Sequence, residues 1–152
     1  MEFEIGRASL LHGMQNGKIL IWFILIISWG TDTFAYCIGK LMGKHKFSKI
    51  SPNKTIEGCV GGVIGAVILT LIYTYICNTV WNMNISYLVI IIVSVFLSIV
   101  SQIGDFAASS IKRYMGIKDF SNLIPGHGGM LDRIDSVIFV APFVYMLFAI
   151  LL

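Results

Sequence analysis

Ile85 to Ile103 reads ISYLVIIIVSVFLSIVSQI, nineteen residues without one charge. A buried strand is shorter than this, and the run is long enough to cross a bilayer, whose hydrocarbon core takes about 20 apolar residues with roughly 17 as a lower limit. In lipid every backbone N–H and C=O must be satisfied within the segment, so the run is predicted to be a helix. Working outward, three further runs read the same way: Ile19 to Ile38, Cys59 to Cys77, and a shorter one from Ser136 to Leu152. The expected fold is all-α, a polytopic integral membrane bundle of about four transmembrane helices with two basic loops. A polar N-terminal segment over residues 1–18 precedes the membrane region, residues 19–152. No charged stretch followed by a small-residue cleavage site marks Ile19 onward as a signal peptide. With 57% apolar and 12% charged residues, the composition is that of a membrane protein rather than a soluble domain.

The basic residues orient the bundle. Nine of the eleven Lys/Arg lie in two connections: Lys40, Lys44, Lys46, Lys49 and Lys54 between the first and second runs, and Lys112, Arg113, Lys118 and Arg133 between the third and fourth. The connection Asn78 to Asn84 carries no charge. The positive-inside rule puts both basic connections in the cytoplasm and the neutral one outside. Both chain ends then lie outside, as an even number of spans requires. A net charge of +3 suits contact with anionic lipid heads. Nucleic acid is not an expected partner, because the basic residues are tied to membrane loops.

Cys37, Cys59 and Cys77 sit at the edges of the runs with neither CxxC nor Cys/His spacing, so they read as small membrane residues and not as a zinc site or disulfide framework. The second run carries Gly58, Gly61, Gly62 and Gly65. The Gly61 to Gly65 spacing is a GxxxG, which lets helices approach closely in lipid; packing is favoured over a direct substrate role.

Six of the eight acids, Asp32, Glu57, Asp105, Asp119, Asp132 and Asp135, fall in or beside the cytoplasmic ends of the runs. Asp32 lies inside an apolar run, where a charge at the bilayer centre costs about 2.5–3.5 kcal/mol. Either it pairs with a lysine from a neighbouring loop, or it lines a polar cavity open to the cytoplasm. Asp105 follows the third run, and Asp132 and Asp135 open the fourth. If that segment is helical, their i, i+3 spacing puts both on one face. Carboxylates gathered at one depth repel, and a divalent cation relieves the repulsion; oxygen-only donors favour Mg²⁺ or a similar hard ion. The opposing reading pairs Asp132 and Asp135 with Arg133 or Lys118, although adjacent helical residues such as Asp132 and Arg133 do not face each other.

The stretch Ser110 to Asp135, SIKRYMGIKDFSNLIPGHGGMLDRID, concentrates eight ionisable groups between two apolar runs. Its turn Pro125-Gly126-His127-Gly128-Gly129 can present backbone N–H groups to phosphate oxygens. A glycine-rich turn alone is a weak signal. Lys112, Arg113, Lys118 and Arg133 around it strengthen the phosphate reading. His127 could serve as acid, base or phosphate donor, or simply be solvated.

The spacing S-I-K-R, four residues, K-D, seven residues, H-G-G, two residues, D-R-I-D resembles the signature of the CDP-diacylglycerol synthase (phosphatidate cytidylyltransferase) family. Upstream, Trp29 to Tyr36 (WGTDTFAY), Gly39 to Lys46 (GKLMGKHK), Ser51 to Gly58 (SPNKTIEG) and Ser101 to Asp105 (SQIGD) are similar to its middle motifs, so the resemblance covers most of the chain from Trp29 onward. Family members are longer, with additional spans before this region, so the chain looks like the C-terminal catalytic half.

The resemblance implies transfer of CMP from CTP to phosphatidic acid in phospholipid biosynthesis, giving CDP-diacylglycerol and pyrophosphate. It implies a Mg²⁺-dependent enzyme, with room for a second cation, in a bacterial inner membrane with its active site facing the cytoplasm. The partners would be CTP, phosphatidic acid and membrane lipids, and a homodimer stays open. Asp105, Asp132 and Asp135 would hold metal, with Asp119 a further candidate. Lys54, Lys112, Arg113, Lys118 and Arg133 would contact phosphates. His127 and Gly128 would shape the nucleotide or pyrophosphate site. Ser110 and Asp32 would add substrate contacts, and Asp32 and Glu57 would line the cavity or orient lysines. Two other readings stay open: a CTP-dependent lipid or prenol kinase, and a truncated non-catalytic fragment or membrane subunit.

Overall fold

The computed structural model describes residues 2–46, 54–82, 84–117, 120 and 131–151, with side chains described for 17–46, 54–82, 84–117, 120 and 134–147. Four helices account for nearly all of it: α1 Glu2–Met42, α2 Ile56–Trp81, α3 Tyr87–Tyr114 and α4 Leu131–Leu151. The spans Gly17–Met42, Ile56–Trp81 and Tyr87–Tyr114 are long and apolar enough to cross a membrane, while the described apolar part of α4, Ile134–Leu147, is shorter. The protein is a polytopic membrane helical bundle, as the uncharged runs require. The helices run past those runs, however. α1 continues unbroken through the polar N-terminal residues, and α3 carries Ser110 to Tyr114 as helix rather than loop.

The face that α2 buries is made of small residues, unlike the interior of a soluble protein. Hydrocarbon is as apolar as leucine, so nothing drives large aliphatic side chains inward, and small residues take the interfaces. On α2 the buried residues are Gly58, Gly61, Gly62, Gly65, Ala66, Thr70, Thr74 and Cys77, whereas Val60, Ile64, Ile68 and Ile72 face outward. A Cβ on Gly62 would come within 2.8 Å of the Thr31 carbonyl oxygen, and one on Gly65 would collide with the Phe34 ring. The glycine run is therefore the seam along which α2 lies on α1. Gly104 performs the same service between α3 and α4, where a Cβ would meet Phe139 at 2.6 Å.

Among the described residues α1 and α3 each touch the other three helices, while α2 and α4 do not touch. α1 and α3 thus form the centre and the other two flank it. Hydroxyl pairs tie these contacts together: Ser28 to Ser136 at 2.7 Å joins α1 to α4, Thr31 to Ser98 at 2.9 Å joins α1 to α3, and Thr70 to Ser94 at 2.7 Å joins α2 to α3. Each such bond between membrane helices contributes about 0.6 kcal/mol on average.

The two ends of the bundle differ. One is an apolar core of Phe23, Ile27, Ile90, Leu97, Val140 and Val144. The α2–α3 turn beyond it is closed by Asn78, whose side chain accepts from the Ile85 N–H at 2.8 Å and donates to the Ile85 carbonyl at 3.0 Å. Asn82 caps α2 with φ 50, a left-handed conformation that asparagine tolerates better than most residues. The opposite end holds the cleft-lining charges Asp32, Lys54 and Asp105.

Candidate active site at the charged end of the bundle

Three helices create a cleft of about 290 Å³ at the charged end. α1 contributes Asp32, Ala35 and Tyr36; the start of α2 contributes Gly58 and Cys59, preceded by Lys54 and Thr55; α3 contributes Gln102, Asp105 and Ser109. Glycine and alanine at the α1–α2 seam leave the space that larger residues would fill. Thr55 caps α2 by accepting the Gly58 N–H at 3.1 Å, which starts the helix beside the cleft. Gln102 donates to the Cys59 carbonyl at 3.1 Å and ties α3 to that first turn.

The charges are organised as two ion pairs around a third carboxylate. The Lys54 ammonium contacts the Asp105 carboxylate, and both side chains are about a quarter exposed, at 23% and 25%. Lys112, one helical turn past Ser109, stands 3.7 Å from Asp135, where α4 meets α3. Its ammonium also lies 5.2 Å from the centre of the Phe120 ring, within cation–π range. Asp32 accepts from the Ser136 hydroxyl at 3.0 Å, and Ser136 in turn accepts from Ser28. Asp135 accepts the Ser136 N–H at 2.8 Å, so Ser136 links the two carboxylates. Asp105 and Asp135 both act electrostatically on Asp32, with Lys54 opposing them. Deeper along α3, the Ser101 hydroxyl is buried without a hydrogen-bond partner among the described residues.

Asp32 lines the cleft and accepts from Ser136, and among the described residues no lysine forms an ion pair with it. Lys54 and Asp105 share that cleft. Asp105 and Asp135, expected to hold metal, are both in ion pairs with lysine. Glu57 is not among the residues that line the cleft, and its carboxylate meets His45, Oε1 to Nδ1 at 2.6 Å. Ser110 donates back to the Phe106 carbonyl of its own helix at 2.8 Å, and it is Ser109 that lines the cleft. Arg113 is exposed at the end of α3. Asp132 and Arg133 lie in the first turn of α4. Lys118, Asp119, His127 and Gly128 lie outside the described residues. The sequence reading passed over Tyr36, Thr55, Gln102 and Ser109. Three of these fall within the motifs quoted above, so position in a motif was the available signal.

Among the described residues no cluster of three or more Asp, Glu, His or Cys is arranged to hold a metal. Mg²⁺ does not need one, because it is commonly held by one or two carboxylates together with water and substrate phosphates. Asp105 and Asp135 fit that role chemically, since carboxylate oxygens are the donors a hard ion such as Mg²⁺ prefers.

The comparisons with known proteins agree with one another. A family profile described as "Cytidylyltransferase family" matches residues 5–151. The chain is 42% identical over 137 residues to "Phosphatidate cytidylyltransferase" of Bacillus subtilis (strain 168), covering 90% of this chain and 49% of the relative. It is 45% identical over 144 residues to "Phosphatidate cytidylyltransferase" of Staphylococcus aureus (strain COL), covering 94% of this chain and 54% of the relative. The chain therefore spans about half the length of the curated relatives it matches. Its fold is shared with the solved structure described as "Structural insight into an intramembrane enzyme for archaeal membrane lipids biosynthesis", at a TM-score of 0.54 and 18% identity over 81% of this chain and 76% of that one. With the profile spanning nearly every residue, this chain belongs to the cytidylyltransferase family.

Proposed function

We propose that this chain forms the nucleotidyl-transfer site of a phosphatidate cytidylyltransferase. A phosphate oxygen of phosphatidic acid attacks the α-phosphorus of CTP, the bond from that phosphorus to the bridging oxygen of the β-phosphate breaks, and pyrophosphate leaves with the electron pair. The product is CDP-diacylglycerol. The observation that carries the reading is Lys54 held against Asp105 in a cleft shared with Asp32, with the Lys112–Asp135 pair on the same end of the bundle.

The nucleophile brings its own charge. A phosphomonoester has a second pKa of about 6, so at neutral pH it is largely dianionic and needs no general base. The obstacle is bringing it to a triphosphate, so catalysis is mainly positioning and charge neutralisation. Lys54 and Lys112 would leave their carboxylates for phosphate oxygens when substrate enters. The carboxylates freed in that exchange, Asp105 and Asp135, would hold Mg²⁺, which supplies further neutralisation of the triphosphate. Asp32, fixed by Ser136, would keep the lysines oriented.

A lipid substrate also suits the shape of the site. At Lys54, Cys59 and Gln102 the cleft adjoins an apolar groove lined by Ile99, Ile103 and Phe106. The head group could meet CTP while the acyl chains stay in the bilayer. The basic connections around this end favour a cytoplasmic orientation, where CTP is available.

The test is CMP incorporation in nanodiscs holding the full chain, phosphatidic acid, Mg²⁺ and CTP labelled in the α-phosphate. Label should move into lipid with release of one pyrophosphate each time, and chelation of Mg²⁺ should stop it. Release of CDP with an unlabelled phospholipid product would identify a kinase instead. Folded protein that transfers no label would refute the reading.

A further inference from the structure

Lys54 sits at the junction of the first basic connection and α2, a place where a chain needs an external restraint to hold one geometry. Thr55 is pinned from one side by the end of α1: a Cβ on Gly39 would lie 2.9 Å from its hydroxyl oxygen. From the other side, His45 and Lys46 fold back along it. The Ile56 N–H donates to the His45 carbonyl at 3.1 Å, and Lys46 forms an isolated antiparallel bridge with Thr55. Glu57 closes the arrangement. Its carboxylate accepts the His45 backbone N–H at 3.3 Å on each oxygen and meets the His45 Nδ1 at 2.6 Å.

We infer that the His45–Glu57 pair is a clasp that positions Lys54 against Asp105, making both members positioning residues for the phosphate-binding lysine. The inference rests on the reading of Lys54 as a phosphate contact. It assigns to Glu57 a task away from the cleft. The His45 side chain is 76% exposed and the Glu57 side chain 29%, so the pair adds little to overall stability. What it can do is restrict the connection. With His45 joined to Glu57, Thr55 is held between the end of α1 and the His45–Lys46 segment, which limits how far Lys54, the next residue back, can swing from the cleft. Preorganising a charged group in this way lowers the ordering cost of substrate binding.

The test reads Lys54 directly and does not need turnover. The full chain in nanodiscs is treated with a limiting amine-acetylating reagent, and the rates at Lys54 and at exposed Lys44 are compared by mass spectrometry. In the unaltered protein Lys54 should react more slowly than Lys44. His45→Ala or Glu57→Ala should raise the Lys54 rate about fivefold without changing Lys44, because labelling tracks the open population. The double variant should go no further than either single one. Glu57→Gln keeps an acceptor for His45 and should stay near the unaltered rate, and that rescue separates positioning from general loosening. In the transfer assay, the alanine variants should raise KM for CTP more than they lower kcat. Lys54 rates unchanged in both alanine variants, while Asp105→Ala raises them, would overturn the clasp. Absence of CMP transfer would count against the proposed function and leave the labelling result to decide the clasp.

Discussion

Replacing Lys54 with methionine keeps the aliphatic stem and removes the ammonium. Asp105 then loses its ion-pair partner and still faces the charge on Asp32. Removing one member of a fully buried pair costs about 3–5 kcal/mol, whereas exposed pairs are worth about 0–1 kcal/mol. With the two side chains 23% and 25% exposed, the expected loss falls between those limits, at about 2 kcal/mol. The effect on transfer should be larger. Loss of a group that stabilises charge in the transition state typically lowers rate by about 10²–10³. The two effects separate in the double variant Lys54→Met/Asp105→Asn, where the stranded carboxylate is neutralised. It should regain most of the lost stability and none of the activity. Thermal unfolding in detergent, followed by the fluorescence of Trp22, Trp29 and Trp81, reads the first quantity, and labelled CMP incorporation reads the second. The reasoning fails if Lys54→Met transfers CMP at close to the unaltered rate, or if the double variant is less stable than the single one.

The helix seam and the serine relay give two further expectations. Gly65→Leu drives a side chain into the Phe34 ring and should separate α1 from α2, costing about 3 kcal/mol or more as overpacking; unfolding in detergent should shift to lower temperature, while Ile64→Leu on the outward face should not shift it. Ser136→Ala removes the donor to Asp32 and the acceptor for Ser28, so it should destabilise by about 1–3 kcal/mol in the same melt, and Ser28→Ala should cost less because it leaves the Asp32 contact intact.

Much of the fold was legible because lipid leaves few options. A nineteen-residue uncharged run such as Ile85 to Ile103 has to be a helix, and glycines at Gly61 and Gly65 have to face a neighbour to be of use. The ends of the helices were less legible. Ser110 to Tyr114 continues α3 even though the apolar run has stopped, since a helix that has emerged from hydrocarbon needs no further apolar residues to go on. The choice between Ser109 and Ser110 could not be made from a motif. One residue turns a helix by about 100°, enough to send one hydroxyl into the cleft and the other back to its own backbone.

By itself, then, the sequence determined that the chain is a membrane helical bundle, that nine of its eleven Lys/Arg lie in two connections, and that its motifs resemble those of the cytidylyltransferase family, because hydropathy, charge placement and residue spacing are properties of the chain alone. Only the tertiary structure decided which charges meet. The pairing of Lys54 with Asp105 and Lys112 with Asp135, the support of Asp32 by Ser136, and the diversion of Glu57 to His45 all depend on how each helix is rotated about its axis. That rotation is set by close contacts along the glycine and serine seams, between residues far apart in the chain, and no local pattern records it.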